Sequence, residues 1–271
     1  MKMVSAAKLR RAQDTIIQMR PYANKLLEIL SNLTQSENES MDTAFATKRE
    51  VQNVLLLAIS SNKGLCGAFN SNVGKKVIHL LESEYREQYA LKQVHIIVIG
   101  KRLAEQLKNK GYSITETQHN ILDHLSYDLV KSLAERIIDS FEKKVYDEVK
   151  IVYNQFRNAA IQNLIVEQYL PLVPLHTENE TMQYNSDYIL EPSKKEIISE
   201  LVPKSLKIQL YKAFLESVAS EHGARMTAMH KATDNASDMI KSLQLEYNKA
   251  RQASITKEIL EIIGGAEQLK G

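Results

Sequence analysis

The turn from Ser60 to Gly67 carries the residues of this sequence that are best placed to do chemistry. It reads Ser-Ser-Asn-Lys-Gly-Leu-Cys-Gly and lies between a predicted strand and a predicted helix, where α/β proteins place nucleotide-binding turns. Its glycine spacing matches neither the dinucleotide-binding pattern nor the phosphate-loop pattern, and no Lys-Ser or Lys-Thr pair opens the following helix. The sequence therefore favours a tight turn that feeds a helix, with nucleotide binding as the open alternative.

Cys66, the single cysteine of the chain, could act as a nucleophile if a histidine lay beside it in space. A lone cysteine is more often a small packing residue, and no histidine is near it in sequence. The seven histidines are scattered without metal-ligand spacing, and no carboxylate pair stands out as an acid and base. We therefore predict no catalytic residue, no metal and no cofactor. One cysteine also excludes an internal disulfide and is typical of a reducing compartment.

The middle of the chain alternates apolar, β-branched runs with amphipathic helical segments. This alternation predicts βαβ units and a parallel sheet, as in a Rossmann-like domain. The predicted strands are 51–59, 94–99, 149–153 and, at an edge of the sheet, 161–172. The predicted helices are 70–87, 101–110 and 126–144, the last with Ser126 as its cap.

Both ends of the chain carry apolar residues at alternating spacings of three and four, which is typical of a coiled coil. The N-terminal helix is predicted to run to about Leu33, with Pro21 inside it. A short helix at 193–201 is predicted to break near Pro203, and one helix of about 65 residues, roughly 100 Å long, follows from about Ser205 to Leu269. The predicted seam of the long helix comprises Met226, Met229, Thr233, Ala236, Ile240, Leu243, Tyr247 and Ala250, then Ile255, Ile259, Ile262, Ala266 and Leu269.

These patterns predict an α/β protein in which the N- and C-terminal helices form an antiparallel coiled coil beside a central Rossmann-like parallel-sheet domain. The predicted divisions are 1–48 for the N-terminal coiled-coil helix, 49–190 for the α/β domain and 191–271 for the long C-terminal helix. Helix-type residues follow Met1 without a cap or turn, so we expect an upstream segment in the native chain. The tip of the long helix would extend alone or meet that segment.

Charge is nearly balanced, at +2 overall, but it is unevenly spread. Residues 1–30 carry six Lys and Arg against two acidic residues, and residues 204–271 carry ten against eight. The basic helical ends suit an acidic partner, whereas nucleic acid is disfavoured because no dense basic block with interleaved aromatic residues occurs. No run of about 18 apolar residues is present, so we expect membrane association only through a partner.

Three stretches together resemble one family, and the resemblance covers nearly the whole chain. They are Met1-Lys-Met-Val-Ser-Ala-Ala-Lys-Leu-Arg10, Gly64-Leu-Cys-Gly-Ala-Phe-Asn70, and Ala232-Thr-Asp-Asn-Ala236 together with Tyr247-Asn-Lys-Ala-Arg-Gln-Ala-Ser-Ile-Thr256. The family is the gamma subunit of the F-type ATP synthase, and the body of the chain is similar to its bacterial members. The resemblance implies a non-catalytic central-stalk rotor that couples proton-driven rotation to ATP synthesis and hydrolysis in a hexamer of alpha and beta subunits.

The same resemblance implies partners for particular residues. Arg251 and Gln252 would contact a beta-subunit loop, and the turn from Lys63 to Cys66 would approach a beta subunit's lever region. The α/β domain would form a foot with the epsilon subunit on the ring of c subunits, where Tyr188 and Glu191 would make contacts. The chain would then be a peripheral protein on the cytoplasmic face of the bacterial plasma membrane, bound there through its partners.

Two other functions compete with the rotor. A nucleotide-dependent α/β enzyme with oligomerising helical arms would use the turn after the first strand, and a passive coiled-coil scaffold would use only the helices. For Arg251 and Gln252 the plain alternative is a solvated helix face, and periodicity does not choose between that and a set of donors to an enclosing partner.

Overall fold

The computed structural model describes residues 1–35, 45, 49–172 and 193–268. The chain divides into two compact units, Met1–Thr227 and Ala228–Gly271. The helices are α1 (Lys2–Gln35), α2 (Phe69–Glu82), α3 (Arg86–Ala90), α4 (Lys101–Asn109), α5 (Asn120–Asp123), α6 (Tyr127–Glu142) and α7 (Lys194–Gln268). The strands are β1 (Val54–Ile59), β2 (Val94–Ile99), β3 (Glu116–Gln118), β4 (Glu148–Phe156) and β5 (Gln162–Leu170).

The five strands form one sheet in the order β3-β2-β1-β4-β5. β1, the central strand, pairs in parallel with β2 on one side and with β4 on the other, and β2 pairs in parallel with β3. β5 is antiparallel to β4 and forms an edge, as the sequence predicted. The predicted α/β class with a mostly parallel sheet is therefore confirmed, and the strand order reverses between β1 and β4.

Alternate residues of β1 face two separate cores. Leu55, Leu57 and Ile59 pack with α6 and α7 on one face of the sheet. Val54, Leu56 and Ala58 pack with α2 and α4 on the other face. Because both faces are covered, every residue of β1 is buried, which explains why the strand reads as a continuous apolar run rather than an alternating one.

α1 packs antiparallel to the first half of α7, which confirms the predicted coiled coil. Leu9, Ala12 and Ile16 meet Leu215 and Ala219. Further along α1, its apolar face meets an earlier part of α7, where Ala23 and Leu26 pack on Ile208. The prediction that the seam of α7 begins at Met226 was wrong, because α1 packs on α7 from about Leu201 to Met226 instead.

α7 runs through Pro203, so the predicted break between two helices is also wrong. Proline removes one backbone hydrogen bond from a helix interior. Here its neighbours Val202 and Leu206 are fully buried in the core beneath the sheet, and the hydroxyl of Ser205 donates to the carbonyl of Val202 at 3.1 Å. Burial of this apolar face holds the segment helical despite the missing bond.

Smaller differences concern short elements. The helix predicted at 70–87 ends at Glu82, and α3 is separate, because Tyr85 turns inward and its hydroxyl donates to Glu148 at 2.6 Å. β3 and α5 were not predicted, since three or four residues carry too little periodicity. The predicted cap of α6 is confirmed, with Ser126 Oγ accepting from the Leu129 N–H at 3.5 Å.

The second unit is, as far as it is described, the part of α7 from Ala228 to Gln268, which is about 60 Å of helix. Every side chain described from His230 to Ala266 is exposed. The exposed set includes large apolar residues of the predicted seam, among them Ile240, Leu243, Tyr247 and Ile255. The division at 48 and 190 stays a prediction, whereas α1, the sheet and the start of α7 share the first unit.

At Gly223, α7 lies close against the loop between β4 and β5. A Cβ atom placed there would lie 3.2 Å from both the Cα and the carbonyl oxygen of Ala159, which are backbone atoms that cannot rotate away. We expect Gly223→Leu to lower the free energy of unfolding by about 1–3 kcal/mol through overpacking. Thermal denaturation of the full chain checks this, with Gly264→Leu as control because nothing lies within 4 Å there. Equal melting temperatures for the two variants would contradict the tight contact.

Candidate partner-binding surfaces

The turn after β1 is held by its own polar side chains. Ser61 Oγ lies 2.7 Å from the carbonyl of Lys63 and 3.0 Å from Asn70 Oδ1. Leu65 adopts a left-handed backbone conformation with φ of 62°, which is uncommon for a residue with a side chain, and its side chain is 61% exposed. The turn therefore presents an apolar residue to solvent from a fixed backbone.

Arg225 of α7 fastens this turn from the other side. Its guanidinium group is buried and donates from Nη2 to the carbonyl of Lys63 at 2.9 Å and from Nε to the carbonyl of Gly64 at 3.2 Å. Nη1 forms an ion pair with Glu221 Oε1 at 2.7 Å. Burial raises the pKa of the Glu221 carboxyl, and the adjacent guanidinium opposes that rise. A buried charge is tolerable because its donors are satisfied in this way.

α7 covers the carboxyl ends of β1 and β4, where the strand order reverses. Besides the Arg225 bonds, Ser220 Oγ donates to the carbonyl of Asn154 at 2.9 Å, and Thr227 Oγ1 donates to the carbonyl of Ala159 at 3.1 Å. Open α/β sheets bind nucleotides in the crevice at this point. Here the chain's own helix lies across that crevice, so the arrangement does not favour the nucleotide-dependent enzyme.

Cys66 lies inside the turn rather than on it. Its side chain is buried, and the Asn70 amide donates to its Sγ atom at 3.3 Å. Burial raises the pKa of the thiol, with the Ser61 hydroxyl opposing the shift, so the reactive thiolate is disfavoured at neutral pH. Of the residues predicted at this turn, Lys63 is exposed to solvent, whereas Cys66 is buried beneath the turn.

A cleft of about 560 Å³ lies beside the turn, between the start of α1 and α7. Four cations line it, of which Arg102 pairs with Glu105 at 3.0 Å and Arg225 with Glu221 at 2.7 Å. The other two, Lys8 and Lys63, form no ion pair within the described parts of the chain. Asp123 and Glu221 also line the cleft, and Lys8 and Lys63 act on Glu221 electrostatically, so the wall carries charges of both signs.

The other predicted site residues lie elsewhere. Arg251 and Gln252 are exposed on the helix of the second unit. The structure therefore does not place them in one site with Lys63 and Cys66, which belong to the first unit. Tyr188 and Glu191 lie outside the described residues.

Sequence reasoning missed the role of Arg225 and of its neighbours Glu221 and His222. The available signal was a Glu-Arg pair four residues apart, with Gly223 between them, on a helix face that is otherwise apolar. Among the described residues, no group of His, Cys, Asp or Glu is arranged to hold a metal ion. The helices in the described ranges also include none that is both long enough and apolar enough to cross a membrane.

Comparison with known proteins agrees on one family. The sequence model of the family described as ATP synthase matches residues 1–269. The ATP synthase gamma chain of Flavobacterium johnsoniae is 52% identical over 271 residues, which cover 100% of this chain and 92% of that one. The gamma chain of Geobacter metallireducens is 45% identical over the same shares of the two chains.

Solved structures with the same fold come from mitochondrial ATP synthases. A chain of the Euglena gracilis OSCP/F1/c-ring structure has a TM-score of 0.59 at 20% identity and covers 97% of this chain and 95% of its own. A chain of the Tetrahymena thermophila central stalk/c-ring structure has a TM-score of 0.58 at 21% identity. The match covers 86% of this chain and 97% of that one. At these identities the likeness bears on the fold alone.

His222 gives this site a dependence on pH. Burial, then the charges of Arg225 and Lys8, lower the pKa of His222 to about 4. Because the unfolded chain takes up the proton first, near pH 6.5, stability should fall as pH drops from about 6.5 to 4, by at most about 3 kcal/mol. We expect the melting temperature of His222→Gln to fall less between pH 7 and pH 5 than that of the wild type. The melting temperature of the control His230→Gln, whose residue is exposed, should fall as much as that of the wild type. An equal fall in His222→Gln and the wild type would contradict the effect of His222 on stability.

Proposed function

We propose how this chain, which belongs to the ATP synthase gamma-chain family, passes torque between its partners. It is the non-catalytic rotor subunit of the central stalk of ATP synthase, and it couples rotation to ATP synthesis and hydrolysis at catalytic sites on other subunits.

The observation that carries the proposal is the helix of the second unit. From His230 to Ala266, over about 55 Å, its side chains are exposed, including Ile240, Leu243, Tyr247 and Ile262. An apolar stripe this extended on a soluble chain marks an interaction surface. We assign it as the shaft that turns inside the hexamer of alpha and beta subunits.

Polar groups share that helix with the apolar stripe, and they suit a surface that must move. Arg251 and Gln252 would donate hydrogen bonds to a beta-subunit loop. A bond from the neutral Gln252 amide contributes roughly 0.5–1.5 kcal/mol net, and a bond from the charged Arg251 guanidinium about 1.5–3 kcal/mol, so a few such bonds can form and break as the shaft turns. A partner held at one angle binds the asymmetric shaft differently from a partner at another angle, and this difference can shift conformational equilibria in the catalytic subunits.

The turn from Lys63 to Cys66 is the second proposed contact with a beta subunit. Leu65 and Lys63 project from it, and the adjacent cleft keeps the charges of Lys8 and Lys63. These features fit an acidic segment with an apolar residue in it. Arg225 ties the turn to α7 through two backbone carbonyls, so a force on the turn would be transmitted directly to the helix.

The remaining contacts rest on family resemblance. The α/β domain would form the foot, with the epsilon subunit beside it and the ring of c subunits below. Tyr188 and Glu191 would face that ring. The chain is part of a membrane-associated complex, and we propose that it lies on the cytoplasmic face of the bacterial plasma membrane, held there by its partners.

Reconstitution with and without this chain tests the coupling role. Vesicles that carry the complete complex should make ATP when a proton gradient is imposed. The same vesicles assembled without this chain should lose that synthesis, because the catalytic subunits no longer sense the gradient. Undiminished gradient-driven synthesis without the chain would refute the proposal.

Arg251→Ala tests the shaft contact. Since Arg251 is exposed and lies in the second unit, its removal should leave the helix content and melting temperature of the chain unchanged. Loss of one charged hydrogen bond, worth about 1.5–3 kcal/mol, should weaken torque and should reduce the rate of coupled ATP synthesis in the assembled complex about tenfold or more. Lys241→Ala is the matched control, a highly exposed cation on the same helix. A large loss of helix content in Arg251→Ala would show a structural role instead.

A further inference from the structure

Glu216 of α7 is a buried carboxyl group that the rotor role does not use. Its residue is only 2% exposed, and it lies in the stretch of α7 that packs on both α1 and the sheet. An ionised carboxylate in such a place loses its hydration, which is costly unless ion pairs or hydrogen bonds replace the water.

At Glu216, ion pairs and hydrogen bonds replace the lost hydration only in part. Its Oε2 atom is shielded from solvent and has no hydrogen-bond partner among the described residues. The cations that act on it are Lys212, one turn earlier on α7, and Arg20 on α1, and both act through space rather than by a direct bond. Neither compensates the group as a contact ion pair would.

A second carboxylate makes ionisation of Glu216 still less favourable. Glu167 on β5 lies close enough to act on Glu216 electrostatically. Glu167 already accepts hydrogen bonds from the Tyr153 hydroxyl and from the Gln209 amide, both at 2.7 Å. Both carboxylate oxygens of Glu167 thus have a donor, whereas Oε2 of Glu216 has none among the described residues. Glu216 is therefore the member suited to hold a proton.

We propose that Glu216 is a neutral carboxylic acid at neutral pH, and that its ionisation loosens the joint at which α7 is held to α1 and to the sheet. Burial, with a smaller effect of Glu167, raises the pKa of Glu216, while Lys212 and Arg20 oppose that rise. Across the joint, the charged and titratable groups that face it are Arg20 from α1, Lys212 from α7, Tyr153 from β4 and Glu167 from β5.

The sign of the effect on stability follows from linkage. The unfolded chain loses this proton near pH 4.3, the ordinary pKa of a glutamic acid, while the folded chain retains it. Between that pH and the raised pKa, the folded state binds more protons than the unfolded state does. The contribution of Glu216 to stability is therefore largest in acid and falls as pH rises, which is opposite to the effect of His222.

Thermal denaturation of the full chain between pH 5 and pH 8.5 tests the proposal. The melting temperature of the wild type should fall by several degrees more over this range than that of Glu216→Gln. The amide has nearly the same shape as the neutral acid but does not ionise. At pH 8.5 the variant should melt above the wild type. The exposed Glu200→Gln, on the same helix, should follow the wild-type curve.

Two results would overturn the proposal. One is a Glu216→Gln curve that runs parallel to the wild type, and the other is a Glu216→Gln variant that melts lower at every pH. A direct readout is isotope-edited infrared spectroscopy at pH 7 with labelled glutamate, in which the wild type should show a stronger protonated-carboxyl band than Glu216→Gln, since Glu221 is labelled in both proteins. Bands of equal strength in the two proteins would equally refute the proposal. Because both measurements use the isolated chain, their outcome is independent of the rotor role.

Discussion

Packing of one segment of α7, from Val202 to Thr227, is the interaction on which the rest of the first unit depends. One face of this segment places Val202, Leu206, Leu210 and Phe214 in the core beneath the sheet, all fully buried. Its other face meets α1 through Ile208, Leu215 and Ala219. Burial of a large apolar side chain contributes about 1.5–3 kcal/mol, so this two-sided contact joins the helical pair to the sheet.

Polar contacts then determine where α7 sits on the sheet. Tyr169 donates to the carbonyl of Leu206 at 3.0 Å, near the start of the segment, and Ser220, Arg225 and Thr227 bind backbone carbonyls near its end. Apolar packing alone tolerates small slides, whereas buried hydrogen bonds are costly to leave unmade. This segment of α7 is therefore fixed at both of its ends, against two strands and a turn. A subunit that transmits torque requires this kind of attachment.

Much of the fold could be predicted from local patterns. The run at 94–99 is rich in β-branched residues and the run at 54–59 is short and continuously apolar, and both features favour a buried strand. The repeat from Leu9 to Leu26 could form only one face of a helix. What local patterns could not show was which partner each face would meet. The apolar residues around Ile240 have the same spacing as those around Leu215, yet Leu215 is buried against α1 whereas Ile240 is exposed. Pro203 was misjudged for a related reason, since tertiary burial outweighed one lost backbone bond.

The residues of the candidate sites could likewise be predicted only in part, because local sequence patterns do not show tertiary contacts. Lys63 and the exposed pair Arg251 and Gln252 could be named from family resemblance, and their exposure is compatible with partner contacts. Arg225 could not be named, because its task is to bind carbonyls more than 160 residues earlier in the chain. Glu216 looks like an ordinary helical glutamate in the sequence, and its burial follows only from the simultaneous packing of α1 and the sheet.

Rotation of this chain relative to the catalytic subunits is the most direct test of the account. Leu91 is 69% exposed on the α/β domain and Cys66 is the only native cysteine, so Leu91→Cys in a Cys66→Ser background offers one labelling site for a bead. With the alpha and beta subunits fixed to a surface and ATP supplied, the bead should turn in one direction at a rate set by hydrolysis. A bead that stays still while the same complexes hydrolyse ATP at the full rate would contradict the account.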